Sequence, residues 1–353
     1  MRLFLRAVLV LVTLVAFGLG AMMVLDTSER PVPPVTPGFH ATTFDVPHRD
    51  VPVPVSIWYP TKAQGEAELI GQNLLFYGFH AQRDAAPATG ALPLVVLVHG
   101  SGGNGPRLGW LATALADAGY MVVAANHPGV TSQDSWPEDT VKVWERPQDV
   151  SVMLNWLDDA RPMGLTPDMD RVGVLGFSIG GHTALALAGI EVSKDAFMSY
   201  CASYDDAVDC QWMLRNGLDL TTIDASRYEA SHLDPRPKAF IAVDPALPRA
   251  VKDESFEKIT RPVQLINLGE VEELSSAVRV DDWPDRIAGA RYHAVPQSWH
   301  FSFLAECSTT GRWVIGLAAR KTEEICTDPK GRSRADVHDE LRRVILGFLS
   351  DTL

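Results

Sequence analysis

Ser178 is flanked by glycines in a pattern that can make a serine nucleophilic. The stretch Gly176-Phe-Ser-Ile-Gly180 fits Gly-x-Ser-x-Gly, in which the serine lies on a sharp turn and small neighbours let the backbone close around it. An apolar run over 172–175 predicts a strand before this turn, and a helical repeat over 184–188 predicts a helix after it. Ser178 is therefore the candidate nucleophile, and the backbone N–H of Ile179 is placed to donate to an oxyanion.

A second glycine-rich stretch, His99-Gly-Ser-Gly-Gly-Asn-Gly105, follows a predicted buried strand over Leu92–Val98. Its glycines formally match a dinucleotide-binding fingerprint, but the next strand ends in Asn126 and not in the acidic residue that would hold a ribose. It is better interpreted as the His-Gly loop of a serine hydrolase. The backbone N–H of Ser101 would then reach the substrate oxygen from the side opposite Ile179. We expect no cofactor.

His300 is the candidate general base. In an α/β fold with a Gly-x-Ser-x-Gly turn, the nucleophile, the acid and the histidine follow one another in that order along the chain. His300 lies in a loop just after a predicted strand over Ala290–Val295, where its imidazole can reach the serine. His293 lies inside that strand and His338 on the face of a predicted helix, so we expect both to be structural.

Two loops offer a carboxylate that could orient this imidazole. Asp244 directly follows an unbroken apolar strand over Ala239–Val243, a position where an ionised side chain needs a partner. The next strand is followed by Glu270, Glu272 and Glu273, an acidic cluster typical of a solvated loop. We prefer Asp244, and Glu272 and Glu270 stay open as alternatives.

The remaining pattern predicts an α/β fold in which a mostly parallel sheet carries helices on both faces. The predicted hydrolase domain covers 51–353, and ligands are expected at the carboxyl ends of its strands. Val51–Pro60 is predicted as an edge strand because of its prolines, and 61–91 as a surface insertion. The segment 190–237 has no strand pattern and is predicted to form a small cap over the site.

The N-terminus has the pattern of an export segment. Arg2 and Arg6 precede an apolar run over 7–25, which is long for a signal peptide and long enough to cross a bilayer. Residues 1–25 are thus predicted to be a cleaved signal peptide or a retained membrane anchor, with 26–50 as a proline-rich linker. In either case we expect the folded part to be periplasmic or extracellular.

Cysteine usage and charge limit the classes further. Cys201, Cys210, Cys307 and Cys326 are an even number in an exported chain, and their local spacing predicts Cys201–Cys210 and Cys307–Cys326 disulfides. No Cys-x-x-Cys or His-Glu-x-x-His spacing points to a metal site. The net charge of −13 disfavours nucleic acid and the electrostatic attraction of anionic membrane surfaces.

Several linked motifs carry a family resemblance over roughly 51–307. The chain resembles bacterial dienelactone-hydrolase-like proteins related to plasma-type platelet-activating-factor acetylhydrolases through His99-Gly-Ser-Gly-Gly-Asn, Asn126-His-Pro-Gly, Glu145-Arg-Pro-Gln-Asp, Gly176-Phe-Ser-Ile-Gly-Gly-His, Cys201, Cys210 and Trp299-His-Phe-Ser-Phe-Leu. The resemblance implies the α/β-hydrolase fold. In the acetylhydrolase branch the acid position matches Asp244, whereas in dienelactone hydrolases it matches Glu272. Dienelactone hydrolases proper have a cysteine where this chain has Ser178, so their substrate is not carried over.

The function expected from these residues is hydrolysis of carboxylic esters through an acyl-enzyme on Ser178. The expected substrate is a small-molecule ester with a short acyl chain, including lipid or phospholipid acetyl-type esters. An acyltransferase would use the same residues, and a non-catalytic binding module would keep only the fold. The sequence leaves the acyl specificity and the oligomeric state open.

Overall fold

The computed structural model describes residues 2–28, 30–63, 65–204, 206–318 and 325–353. Positions 1, 29, 64, 205 and 319–324, which belong to the predicted ranges 1–25, 26–50 and 51–353, lie outside the described residues. The strands are β1 (Gly38–Phe44), β2 (Val53–Tyr59), β3 (Glu68–Ile70), β4 (Phe79–Arg83), β5 (Ala91–Val98), β6 (Met121–Ala125), β7 (Thr166–Phe177), β8 (Ala239–Val243), β9 (Val263–Leu268) and β10 (Arg291–Val295). The α-helices are α1 (Arg2–Ser28), α2 (Gly109–Asp117), α3 (Pro137–Thr140), α4 (Glu145–Ala160), α5 (Ile179–Ala188), α6 (Lys194–Ser203), α7 (Val208–Arg215), α8 (Ala225–Tyr228), α9 (Thr309–Ala318) and α10 (Arg334–Thr352).

All ten described strands join one sheet in the order β10-β9-β8-β7-β5-β6-β2-β1-β4-β3. The six strands from β10 to β6 pair in parallel. Strand β2 pairs antiparallel with both β6 and β1. Because parallel strands end at the same edge, the loops after β5, β6, β7, β8, β9 and β10 open together there. The predicted mostly parallel α/β sheet is confirmed.

Apolar side chains cover both faces of the sheet. On one face, residues of α4 and α5 pack in a single buried cluster with the strands. On the other face, residues of α2 and α10 pack in a second cluster. Strands β6, β8 and β9 are buried along their whole length, as expected for strands covered on both sides. This two-sided core supports the edge of the sheet at which the parallel strands end.

The N-terminal part of the sheet differs from the sequence prediction. Strand β1 lies within the segment predicted as linker, and β3 and β4 lie within the predicted surface insertion. The prediction that Val51–Pro60 forms an edge strand is wrong, because β2 lies between β6 and β1. Pro54 is tolerated there because it lies at the end of the pairing with β6: its carbonyl accepts from the N–H of Asn126, and the register of the two strands starts at Val55.

The segment predicted as a cap contains α6, α7 and α8 and no described strand. Cys201 of α6 and Cys210 of α7 form a disulfide, and Cys307 and Cys326 form the second one. Both pairs agree with the local pairing predicted from the sequence. Residues Phe4–Thr27 of α1 form an apolar helix of 24 residues that is long enough to cross a membrane.

Candidate active site

Ser178 lies on a strained turn between β7 and α5. Its φ of 57° and ψ of −122° fall in a region that residues other than glycine rarely adopt. Two glycines make the turn possible. A Cβ on Gly176 would lie 1.8 Å from the carbonyl oxygen of Gly180, and a Cβ on Gly180 would lie 2.1 Å from that of Val98. The spacing of the glycines is therefore dictated by the close passage of the backbone beneath the serine.

The glycine-rich loop after β5 lies beside this turn. A Cβ on Gly100 would be 3.3 Å from the Cβ of Ser178, so the two stretches singled out in the sequence meet. In the described part of the chain, the backbone N–H groups of Ser101 and Ile179 have no protein acceptor. Two free amide N–H groups beside a serine have the composition of an oxyanion hole.

His300 and Asp244 are brought together by the loops after β10 and β8. The Nδ1 of His300 lies 2.9 Å from Oδ2 of Asp244. The Asp244 side chain is fully buried, whereas that of His300 is 29% exposed. The other carboxylate oxygen accepts hydrogen bonds from Nδ2 of Asn267 and from the backbone N–H of Leu268, both at 2.9 Å. The cost of burying the Asp244 side chain is thus offset by hydrogen bonds to three neighbouring groups.

Backbone hydrogen bonds join the serine turn to the loop that carries Asp244. The N–H of Ser178 donates to the carbonyl of Val243 at 2.9 Å, and the carbonyl of Ser178 accepts from the N–H of Ala246 at 3.0 Å. The ring of His300 packs on that of Phe177, with 4.7 Å between centroids. The serine, the carboxylate and the imidazole are therefore positioned by one rigid unit of adjacent strands.

The other carboxylates and histidines considered from the sequence are exposed to solvent or contact other residues. Glu270 and Glu272 are exposed to solvent. His293 pairs through Nε2 with Glu340 at 2.6 Å. His338 is buried and stacks on Trp110 with 3.6 Å between ring centroids.

A layer of buried polar groups supports the loop after β5. Nδ1 of His99 lies 2.7 Å from the carbonyl oxygen of Gly100, and its Nε2 accepts the backbone N–H of His127 at 3.2 Å. Since a carbonyl only accepts, His99 carries its proton on Nδ1. Burial, together with Arg146 and His127, holds the pKa of His99 well below its usual range. A neutral His99 therefore fixes the Gly100 carbonyl, and through the planar peptide it fixes the opposite direction of the Ser101 N–H.

The motif that begins at Glu145 supplies the charges of this layer. Asp149 accepts hydrogen bonds from His48, Arg49 and His127. Burial by itself would raise the pKa of Asp149, but these donors bring it well below its ordinary value. Burial lowers the pKa of His127 to about 4, and Nδ1 of the neutral ring donates to Asp149.

Arg146 connects the same layer to the loop. It is buried, and its Nη2 donates to the carbonyl of His99. Burial lowers the pKa of Arg146 to about 9. In the sequence, this layer was visible only as the motif Glu145-Arg-Pro-Gln-Asp, which is part of the family resemblance. The spacing of its residues does not show that their side chains converge on one loop.

The described residues contain no group of three or more His, Cys, Asp or Glu side chains arranged to hold a metal ion. The groups that meet at the carboxyl edge of the parallel strands are backbone amides, one imidazole and one buried carboxylate. Such a set is suited to acyl transfer by a serine, with the charge of the transition state held by N–H groups.

Comparisons with known proteins agree with this architecture. A family model described as the alpha/beta hydrolase fold matches residues 93–213, which include the loop after β5 and the Ser178 turn. The structure of ferulic acid esterase from Streptomyces cinnamoneus is similar with a TM-score of 0.60 and 20% identity, over 92% of each chain. The chain has the α/β-hydrolase fold.

A puromycin-hydrolyzing peptidase from Mycobacterium tuberculosis has a TM-score of 0.50 and 17% identity, covering 89% of this chain and 39% of the peptidase. No curated protein matches the sequence significantly. Within the α/β-hydrolase fold, Ser178, Asp244 and His300 follow β7, β8 and β10, and all three therefore lie at the edge where this fold places its ligands.

Proposed function

We propose that the chain is a serine hydrolase that cleaves carboxylic esters with Ser178, His300 and Asp244. The observation that carries the proposal is the hydrogen bond of 2.9 Å between His300 Nδ1 and the fully buried Asp244. It leaves Nε2 of the imidazole as the free acceptor for a proton. The strained turn that presents Ser178, and the backbone bonds that tie it to the Asp244 loop, support the same assignment.

In the proposed first half-reaction, Nε2 of His300 takes the proton of Ser178 while Oγ attacks the ester carbonyl carbon. The resulting oxyanion is held by the N–H groups of Ser101 and Ile179. The tetrahedral intermediate collapses, the ester C–O bond breaks, and His300 gives its proton to the leaving alkoxide. The acyl group then remains on Ser178.

Water completes the cycle. Nε2 of His300 removes a proton from a water molecule, whose oxygen attacks the acyl carbon, and the acid product leaves as Ser178 regains the proton. We assign a short, apolar acyl group, including acetyl-type esters of lipids. The short acyl group follows from the resemblance to acetylhydrolases, and the apolar cluster in which Ile179 packs with residues of the cap and of the loop that carries α3 suits an apolar group.

Labelling with a fluorophosphonate, followed by intact-mass measurement, tests the nucleophile. The full chain in detergent should gain one phosphonyl group, and Ser178→Ala should gain none. His300→Ala should react about 10³-fold more slowly, because the serine loses its base. His293→Ala is the matched control, since His293 pairs with Glu340 away from the serine turn, and it should react like wild type.

Folded wild-type protein that gains no adduct would contradict the proposal and favour a binding module. Hydrolysis is then separated from acyl transfer by product analysis with an added alcohol. A serine hydrolase should release mainly the free acid, whereas an acyltransferase would form the new ester in preference to the acid.

A further inference from the structure

Most of the described apolar side chains of helix α1 are exposed. Residues Phe4–Thr27 are apolar, and their most apolar window has no buried residue. Side chains exposed over more than half of their surface include Leu9, Leu14, Phe17 and Val24. At about 1.5 Å per residue, 24 residues extend about 36 Å, which is enough for the hydrocarbon core of about 30 Å. An exposed apolar surface of this length matches the thickness of a bilayer.

The outer end of α1 is fastened to the folded domain. Asp26 is buried, and both of its carboxylate oxygens lie 3.3 Å from the backbone N–H of Thr310 in the first turn of α9. Arg30 pairs with Glu306 at 2.9 Å and lies over the ring of Tyr77 at 4.2 Å. The outer end of α1 is therefore held against the first turn of α9.

Helix α9 is braced so that one tryptophan stays exposed. The Cys307–Cys326 disulfide closes the segment that contains it. A Cβ on Gly311 would lie 2.1 Å from the carbonyl oxygen of Leu75, so the helix backbone is pressed against the neighbouring loop. Trp313, two residues further along the same helix, is 52% exposed. The exposed indole ring of Trp313 is therefore carried by a helix that is fixed to the outer end of α1.

We propose that α9 is a second membrane contact, with Trp313 in the interfacial layer of the same bilayer that holds α1. Trp313 is three residues from Thr310, which corresponds to a rise of about 4.5 Å along the helix. The interfacial layer is about 5 to 7 Å thick on each side, so Trp313 lies within it or at its border. Indole rings are enriched in this layer.

The segment of chain that follows α1 contains Val32 and Val35, whose side chains are 57% and 63% exposed. The contact is therefore apolar and aromatic. This agrees with a chain whose net charge of −13 gives no electrostatic attraction to anionic lipid. The inference does not depend on the proposed esterase activity, but it requires that α1 stays attached.

The test places an environment-sensitive fluorophore at Trp313→Cys in the full chain, reconstituted in phosphatidylcholine vesicles. All four native cysteines are paired, so the introduced thiol is labelled selectively. Met163→Cys is the matched control, because Met163 is an exposed apolar residue in the turn before the amino end of β7 and belongs to neither α1 nor α9. We expect a blue-shifted emission at 313 that lipids spin-labelled near the headgroup quench at least twofold, and no quenching at 163.

Three results would overturn the inference. Equal, water-like emission at both positions would show that α9 stands clear of the bilayer. A shielded label at 313 that spin-labelled lipid does not quench would assign the surface to a protein partner or a second copy. An intact mass lacking residues 1–25 in chain purified from the cell envelope would show that α1 is removed.

Discussion

Replacing Asp244 by asparagine separates the two carboxylates between which the sequence could not choose. One oxygen of Asp244 accepts from Asn267 Nδ2 and Leu268 N, and the other faces His300. Asn267 cannot easily turn over its amide, because its own Oδ1 accepts from the N–H of Val280 and its Nδ2 also donates to a carbonyl. The carbonyl of an introduced asparagine must therefore stay on the side of Asn267 and Leu268.

The amide nitrogen of Asp244→Asn would then face Nδ1 of His300 as a donor. To accept this hydrogen bond, the Nδ1 atom of His300 must be unprotonated, so the ring proton moves to Nε2. The Nε2 atom can then no longer accept the proton of Ser178. We expect kcat to fall by about 10⁴, or about 5.5 kcal/mol of transition-state stabilisation. KM should change little, because the Asp244 side chain is fully buried and so has no surface open to a bound ester.

The assay is steady-state hydrolysis of an aryl acetate by the full chain in detergent, with the thermal midpoint measured for each variant. Glu272→Gln is the control, and its exposed side chain should leave kcat within a factor of two. A folded Asp244→Asn variant that keeps more than a tenth of kcat, beside a Glu272→Gln variant that loses a hundredfold, would refute the assignment.

Three further predictions concern the support of the site. Gly180→Ala should lower the free energy of unfolding by about 3 kcal/mol, because its Cβ would meet the Val98 carbonyl at 2.1 Å; Gly347→Ala on α10, with open space around it, should raise it by about 0.5 kcal/mol in the same denaturant titration. The pKa of His127 is lowered to about 4 in the folded protein, so the contribution of the neutral ring to the free energy of unfolding is complete above pH 6.5. About 3 kcal/mol of this free energy should be lost as the pH falls to 4. A His127→Asn variant whose free energy of unfolding falls with pH as steeply as that of wild type would contradict this. His99→Leu should lower kcat about 10²-fold with little change in KM, since the Ser101 N–H is no longer held toward the substrate, and His99→Asn, whose amide can replace Nδ1, should recover part of the rate; equal rates for the two variants would argue against a positioning role.

The sequence by itself determined the features that depend on local chemistry. The turn at Ser178 needs glycines two residues before and after it, so its strand and helix could be predicted from a few letters. The alternation of apolar strands and amphipathic helices predicted the sheet, and the short spacing within each cysteine pair predicted both disulfides. These features depend on neighbours in the chain and therefore leave a pattern in it.

Only the tertiary structure decided the features that depend on distant pairing. Strands β8 and β9 lie side by side and open at one edge, so Asp244 and Glu272 look equivalent along the chain. Only the fold shows that Asp244 points to His300 while Asn267 supports it from the next strand. Likewise, the prolines around β2 favour an edge strand by local rules. The same strand can lie inside the sheet because Pro54 is at the end of its pairing with β6, where only the proline carbonyl is bonded and no hydrogen bond is required of the proline nitrogen.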